Sequence, residues 1–165
     1  LERYGPGLPE VADLSGASLG TFLHRCFEVL GARPDLLHRL PAITGVAIAP
    51  EALAQIATTV QQFEAWLQDH FDCESVLREW PLLALDEAGT VVSGTADLIV
   101  QTSAGYWIID HKSDRVEDPL EAFLAYQPQL EAYAQALATE TRPVAGVALH
   151  WIRRGALVLK PLTTP

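Results

Sequence analysis

The chain has 165 residues, enough for one compact domain with a sizeable core and too few for two of ordinary size. Hydrophobic residues make up 49% and charged residues 19%, which excludes a disordered segment, and no apolar run is long enough for a membrane span. Twenty-one acidic against eleven basic residues leave a net charge of −10, which argues against a protein that grips duplex DNA by itself.

The chain begins at Leu1 and holds no methionine, as expected of a domain excised from a longer protein. Residues 1–17, with Gly5, Pro6, Gly7, Pro9 and Gly16, read as a linker or irregular lead-in to a single domain over residues 18–165. Ser18 is placed to cap a helix over residues 19–30, with Gly31 as its stop. A short helical piece is predicted over 34–40 and a loop over 41–50. Leu53, Ile56, Val60, Phe63 and Leu67 then keep helical spacing, so residues 51–70 read as an amphipathic helix.

The period next changes to two. Residues 76–85 and 90–100 flank the turn cluster Asp86-Glu87-Ala88-Gly89 and predict a β-hairpin; residues 106–112 follow as a third strand. Asp118-Pro119 opens a helix that carries Leu120, Phe123, Leu124, Leu130, Tyr133 and Leu137. Pro128 within it predicts a kink or a later start, since an interior proline costs about 3 kcal/mol. Residues 144–153 and 156–161 give a closing hairpin around Arg154-Gly155. Helices, three strands, a helix and one or two strands predict a mixed central sheet flanked by helices, α/β with α+β character.

Side chains at i and i+2 on a strand share a face, so Asp110 and Lys112 stand side by side after the apolar run Trp107-Ile108-Ile109. If the strands pair, Asp97 comes alongside Asp110. Aspartate is depleted in strands, so Asp97 between Ala96 and Leu98-Ile99-Val100 calls for a reason. Two carboxylates and an ammonium at the end of an apolar sheet are costly unless offset. A divalent metal on oxygen ligands is the usual offset, with the lysine beside the water to be activated. The bland alternative, an exposed strand-end salt bridge, does not explain the apolar approach to Asp110. His24 and Glu28 share a helical face, but without a third ligand nearby they do not make a zinc site.

The order Gly20-Thr21-Phe22-Leu23-His24, then Gly94-Thr95-Ala96-Asp97, then Asp110-His111-Lys112, then Gln129-Leu130 and Tyr133 resembles the PD-(D/E)xK nuclease superfamily. The similarity is to its RecB/AddA branch, the C-terminal nuclease domains of UvrD/REP-type helicase–exonucleases. It runs over residues 18–137 and implies a restriction-endonuclease-like sheet. The resemblance further implies one or two magnesium ions, replaceable by manganese, on His24, Asp97, Asp110 and the backbone carbonyl of His111. Lys112 would act on the attacking water, Gln129 (Gln127 is a rival) would bond that water, Lys112 or a ligand carboxylate, and Tyr133 would meet the substrate phosphate. Glu79 matches an acidic residue of relatives, with a solvent-facing glutamate as the plainer reading. Arg153 and Arg154 read either as DNA contacts or as a solvated turn.

Some RecB-like nucleases hold an iron–sulfur cluster on four cysteines; Cys26 and Cys73 cannot build one within this chain. Free thiols fit a reducing, cytoplasmic setting with no membrane. The implied activity is metal-dependent DNA hydrolysis in double-strand-break repair and recombination, with DNA delivered by a helicase motor on the same or a partner chain. A catalytically silent docking or single-stranded-DNA-binding module is the alternative. A hydrolase of small molecules has only the carboxylate pair behind it.

Overall fold

Alternation along the central strands builds two cores, one on each face of a mixed sheet. The computed structural model describes residues 1–8, 14–85, 91–138 and 142–162. In β3 (Val91–Thr102) and β4 (Gly105–Lys112), Leu98, Val100 and Ile109 pack with Leu23 and Phe27 of α1 (Gly16–Ala32) and with Ile56 and Phe63 of α3 (Pro50–His70). Their neighbours Ile99 and Ile108 enter the opposite core with Phe123 and Leu130 of α4 (Pro119–Leu137). All four of these strand isoleucines and leucines are fully buried, and each such burial contributes about 1.5–3 kcal/mol.

Four more strands complete the sheet: β1 (Glu2–Arg3), β2 (Cys73–Leu85), β5 (Val144–Trp151) and β6 (Ala156–Pro161). Their order is β1-β6-β5-β4-β3-β2, and every described pairing is antiparallel except β4 with β5. A parallel pair needs a crossover, which α4 supplies. Its consequence is positional: the carboxyl ends of β4 and β5 lie side by side, with Lys112 opposite Trp151. The sheet and its flanking helices are the α/β architecture expected.

Several boundaries differ from the sequence reading. The lead-in is built into the fold, since Glu2 and Arg3 pair with Leu157 and Ala156 and Leu8 is 1% exposed. Helix α1 starts at Gly16, after an extended Ser15 whose side chain makes no cap bond. It runs through Gly31 rather than stopping there. A Cβ at Gly31 would lie 2.5 Å from the Arg78 guanidinium and 2.6 Å from the Glu64 carboxylate, so glycine makes room for that ion pair. Part of the expected loop is a short helix, α2 (Leu40–Thr44), closed by Gly45 in the left-handed region.

Helix α4 runs unbroken across Pro128, with Asp118 accepting from the Leu120 and Glu121 N–H groups at its start. Pro128 denies an N–H to the Leu124 carbonyl, but Leu124 is 65% exposed and water can replace the lost partner. The turn expected at Asp86-Glu87-Ala88-Gly89 lies outside the described residues.

Candidate functional site

The last β3–β4 pair is Leu98 with Ile109, and one further step of that register sets Asp97 against Asp110. The His111 N–H donates to Asp97 Oδ2 at 2.7 Å, tying the two strand ends together. His24 of α1 brings Nδ1 to 3.4 Å from Asp97 Oδ1. Lys112 Nζ stands 2.6 Å from Asp110 Oδ2. That close ion pair gives the buried oxygen its one cationic contact among the described residues. The structure thus brings His24, Asp97, Asp110, His111 and Lys112 together.

Burial and the Asp97 charge together push the Asp110 carboxyl above the usual carboxylate range, against the pull of Lys112. Burial lowers Lys112, but the Asp110 carboxylate outweighs it and the net direction is up. Lys112 is therefore an ammonium here, suited to stabilising charge and orienting water rather than to removing a proton. His24 behaves alike: burial lowers it, and its contact with Asp97 and the charge of Asp110 raise it overall.

The chemistry of the donor set is the observation that tests a cation's fit. Two carboxylates brought to adjoining strand ends, one of them buried and raised by the charge of the other, suit a hard divalent ion. Among the described residues no three His, Cys, Asp or Glu side chains are spaced to close a metal cage. Magnesium needs none, because it commonly keeps several waters and takes one or two carboxylates plus phosphate oxygens. The donor set fits an ion held by Asp97, Asp110 and the His111 carbonyl, with His24 alongside. Glu28 is engaged elsewhere, accepting from Arg25 at 2.7 and 2.6 Å.

Glu79 stands across from Asp97, between the pairs Arg78–Leu98 and Trp80–Ala96. Its φ of 49° is the left-handed region, which a glutamate occupies at a cost of about 1–3 kcal/mol. Burial and the charges of Asp97 and Glu28 raise its carboxyl. With His24, Arg25 and Glu28 it lines a cleft of about 850 Å³ between α1 and the sheet edge.

Helix α4 contributes Gln129, Tyr133 and Tyr126. Gln129 Nε2 donates to the Tyr133 hydroxyl at 3.0 Å. A Cβ at Gly94 would lie 2.4 Å from that hydroxyl, so Gly94 is what lets Tyr133 close on β3 three residues before Asp97. Gln127 is turned to Glu131, at 2.8 Å. The α4 side chain that meets Lys112 is Tyr126, whose ring centroid lies 4.6 Å from Nζ. Sequence reasoning also missed His150, buried at 0% exposure beside His111. Its Nδ1 is 2.8 Å from His111 Nδ1, and its Nε2 is 2.7 Å from the Tyr4 hydroxyl. The available signals were Tyr126 three residues before Gln129, and a histidine inside the apolar run Val147-Ala148-Leu149-His150-Trp151.

A mixed sheet that delivers an aspartate and an Asp-x-Lys pair to adjoining strand ends defines a class of phosphodiester-cleaving proteins. The sequence profile of the PD-(D/E)XK nuclease superfamily matches residues 2–161, and the chain belongs to that superfamily. Its nucleases typically use a divalent metal. The chain is 25% identical over 144 residues to an ATP-dependent helicase/nuclease subunit of Streptococcus pyogenes serotype M2 (strain MGAS10270). That match covers 80% of this chain but 12% of the relative's length. The crystal structure of SSO0001 superposes with a TM-score of 0.41 at 18% identity, covering 88% of this chain and 66% of its own, a loose likeness. Among the described residues no helix is long and apolar enough to cross a membrane.

Proposed function

We propose that this chain is a magnesium-dependent DNA nuclease domain, with manganese able to substitute. It would cut phosphodiester bonds as part of a cytoplasmic helicase–nuclease acting in double-strand-break repair and recombination. The observation that carries this reading is Asp97, Asp110 and Lys112 converging at one sheet end. Asp97, Asp110 and the His111 carbonyl would hold the ion, with His24 completing the set. A bound divalent ion supplies Lewis-acid polarisation of the phosphate and lowers the pKa of bound water.

The chain's own residues then divide the remaining work. The His111 N–H fixes Asp97. Lys112, protonated and seated on the Tyr126 ring, offers charge to the phosphate and orients the water. Gln129 and Tyr133, bonded to each other, would act from the α4 side: Gln129 on the site's hydrogen bonds, Tyr133 on substrate phosphate. The likeness to part of a helicase/nuclease protein supports delivery of DNA by a helicase motor on the same or a partner chain.

A silent docking or single-stranded-DNA-binding module draws on the −10 net charge. The intact Asp97, Asp110 and Lys112 set speaks against it. Titration calorimetry with Mn²⁺ tests the metal site. The chain should bind the ion, and Asp110→Ala should weaken binding by about tenfold to a hundredfold. Equal affinity in the variant would remove the two-carboxylate site.

A further inference from the structure

Because β4 and β5 run parallel, the segments that leave them emerge at the same end of the sheet. Arg115 follows Lys112 by three residues. Arg153 and Arg154 follow Trp151 by two and three, in the turn that ends at Gly155. Arg3 reaches the same place from β1 through its pairing with Ala156. These four arginines line one cavity of about 620 Å³, with Glu117 as the single acid among the described lining residues. Four of eleven basic residues thus meet at one point of a chain whose net charge is −10, and the described lining residues there carry the opposite sign.

The four do not play equal parts. Arg154 donates to the carbonyls of Val116 and Glu117, and so pins the segment after β4 to the turn after β5. That clamp shapes the cavity. Arg3 and Arg115 are exposed and Arg153 is half-buried, so their forks can reach a ligand. A guanidinium carries five N–H donors, and a partner already on one edge leaves donors for another. Guanidinium groups match phosphate oxygens in pairs, and a cleft lined by one sign of charge concentrates the field at its mouth. Three residues span at most about 11 Å, so the backbones of Arg115 and Lys112 lie no more than about three duplex steps apart, at roughly 3.4 Å per step.

We propose that this arginine cavity holds the phosphodiester backbone of a nucleic-acid strand next to the Asp110–Lys112 site. The proposal rests on the nuclease reading of that site, yet it concerns binding and is tested without cleavage. A short grip by three side chains also reconciles the acidic chain with a polyanionic substrate. Phosphate is met at one basic cavity, while the rest of the surface repels it.

The test is fluorescence anisotropy of a labelled oligothymidylate of about twelve nucleotides, in EDTA, between about 20 and 200 mM KCl. With three contacts the slope of log K against log salt should be about −2. Arg115→Gln/Arg153→Gln should bind about tenfold more weakly at the lowest salt, and its slope should shrink by about 1.4. Arg115→Lys/Arg153→Lys keeps the charge and should stay within about threefold of the parent. Arg33→Gln, at an exposed pair with Asp35 elsewhere, should change nothing. Circular dichroism melts verify that each variant is folded; Arg3→Gln, at the cavity's opposite wall, repeats the test should the double variants not fold. No measurable binding by the parent at the lowest salt, or an unchanged slope in the glutamine variants, overturns the proposal. Equal displacement by polyglutamate of the same length overturns it too, and makes the cavity a seat for an acidic peptide. Cleavage assays separate the two readings. Loss of cutting in Lys112→Ala with normal binding by the arginine variants leaves the nuclease and removes this grip. Normal cutting by Lys112→Ala with binding lost in the arginine variants removes the nuclease site and leaves the grip.

Discussion

Asp110 and His111 are neighbours on β4 that face opposite sides of the sheet, one among charges and the other among rings. On the first side Asp110 meets Lys112 and the charge of Asp97. On the second, His111 and His150 lie against Phe27 and Phe63, with His150 stacked on Phe63 at 4.2 Å and 4°. Both environments are buried, and they solve burial in different ways. The histidines shed charge: burial drives both far below the usual imidazole range, and the charge of His24 lowers both as well. Their hydrogen bond enforces this, since the Nδ1–Nδ1 contact of 2.8 Å holds one proton, and two would set donor against donor. Asp110 and Lys112 keep charge in reserve, at a cost that an ion or a phosphate can offset. One step along a strand separates scaffold from chemistry.

The ring side should break first, in acid. The folded histidines stay neutral while the unfolded chain takes up protons below about pH 6.5, so stability is full above that pH and falls below it. Two such groups cost about 2–3 kcal/mol per pH unit until their folded values are reached. His24 and Asp110 are pushed the other way and partly offset this, His24 near pH 6.5 and Asp110 at lower pH, because the folded chain binds their protons before the unfolded one does. His150→Phe separates the contributions. Urea melts in chelator should show about half the parent's loss per pH unit just below 6.5, and about 2–3 kcal/mol lower stability at neutral pH from unpaired Tyr4 and His111. An unchanged slope would mean that these imidazoles are not buried neutral.

The charged side should respond with opposite sign and smaller size. Asp110→Asn removes a buried charge that Asp97 repels, and should raise stability in chelator by about 1 kcal/mol. Added Mg²⁺ should then stabilise the variant less than the parent. Thermal melts with and without Mg²⁺ read both effects, and an undiminished response to Mg²⁺ in the variant would take the ion away from Asp110.

The charged side was also the more legible in sequence. Asp110 and Lys112 could be put on one face because strand periodicity is two, and Asp97 beside Asp110 because two apolar runs flank a short turn. His24 needed the wider motif, since a histidine at a helical position carries no direction by itself. The long helices and central strands followed from apolar spacing. What stayed hidden depends on distant partners. Glu2 and Arg3 form a strand only because β6 offers an edge, and Gly31, inside a helix, leaves room for the Arg78–Glu64 pair at its side. The link from Tyr4 through His150 to His111 joins residues 146 and 39 positions apart, beyond any local pattern. The arginine cavity gathers three separate segments in the same way.

The most direct measurement of the nuclease reading is cleavage of single-stranded and duplex DNA in Mg²⁺ by the parent protein and its Lys112→Ala variant. Lys112 is the one cation touching Asp110 among the described residues, and its loss should slow cutting by about a hundredfold to a thousandfold. Folding should persist, because Lys112 lies outside both apolar cores. A variant that cuts both substrates as fast as the parent would contradict the account, and the nuclease site would have to lie elsewhere.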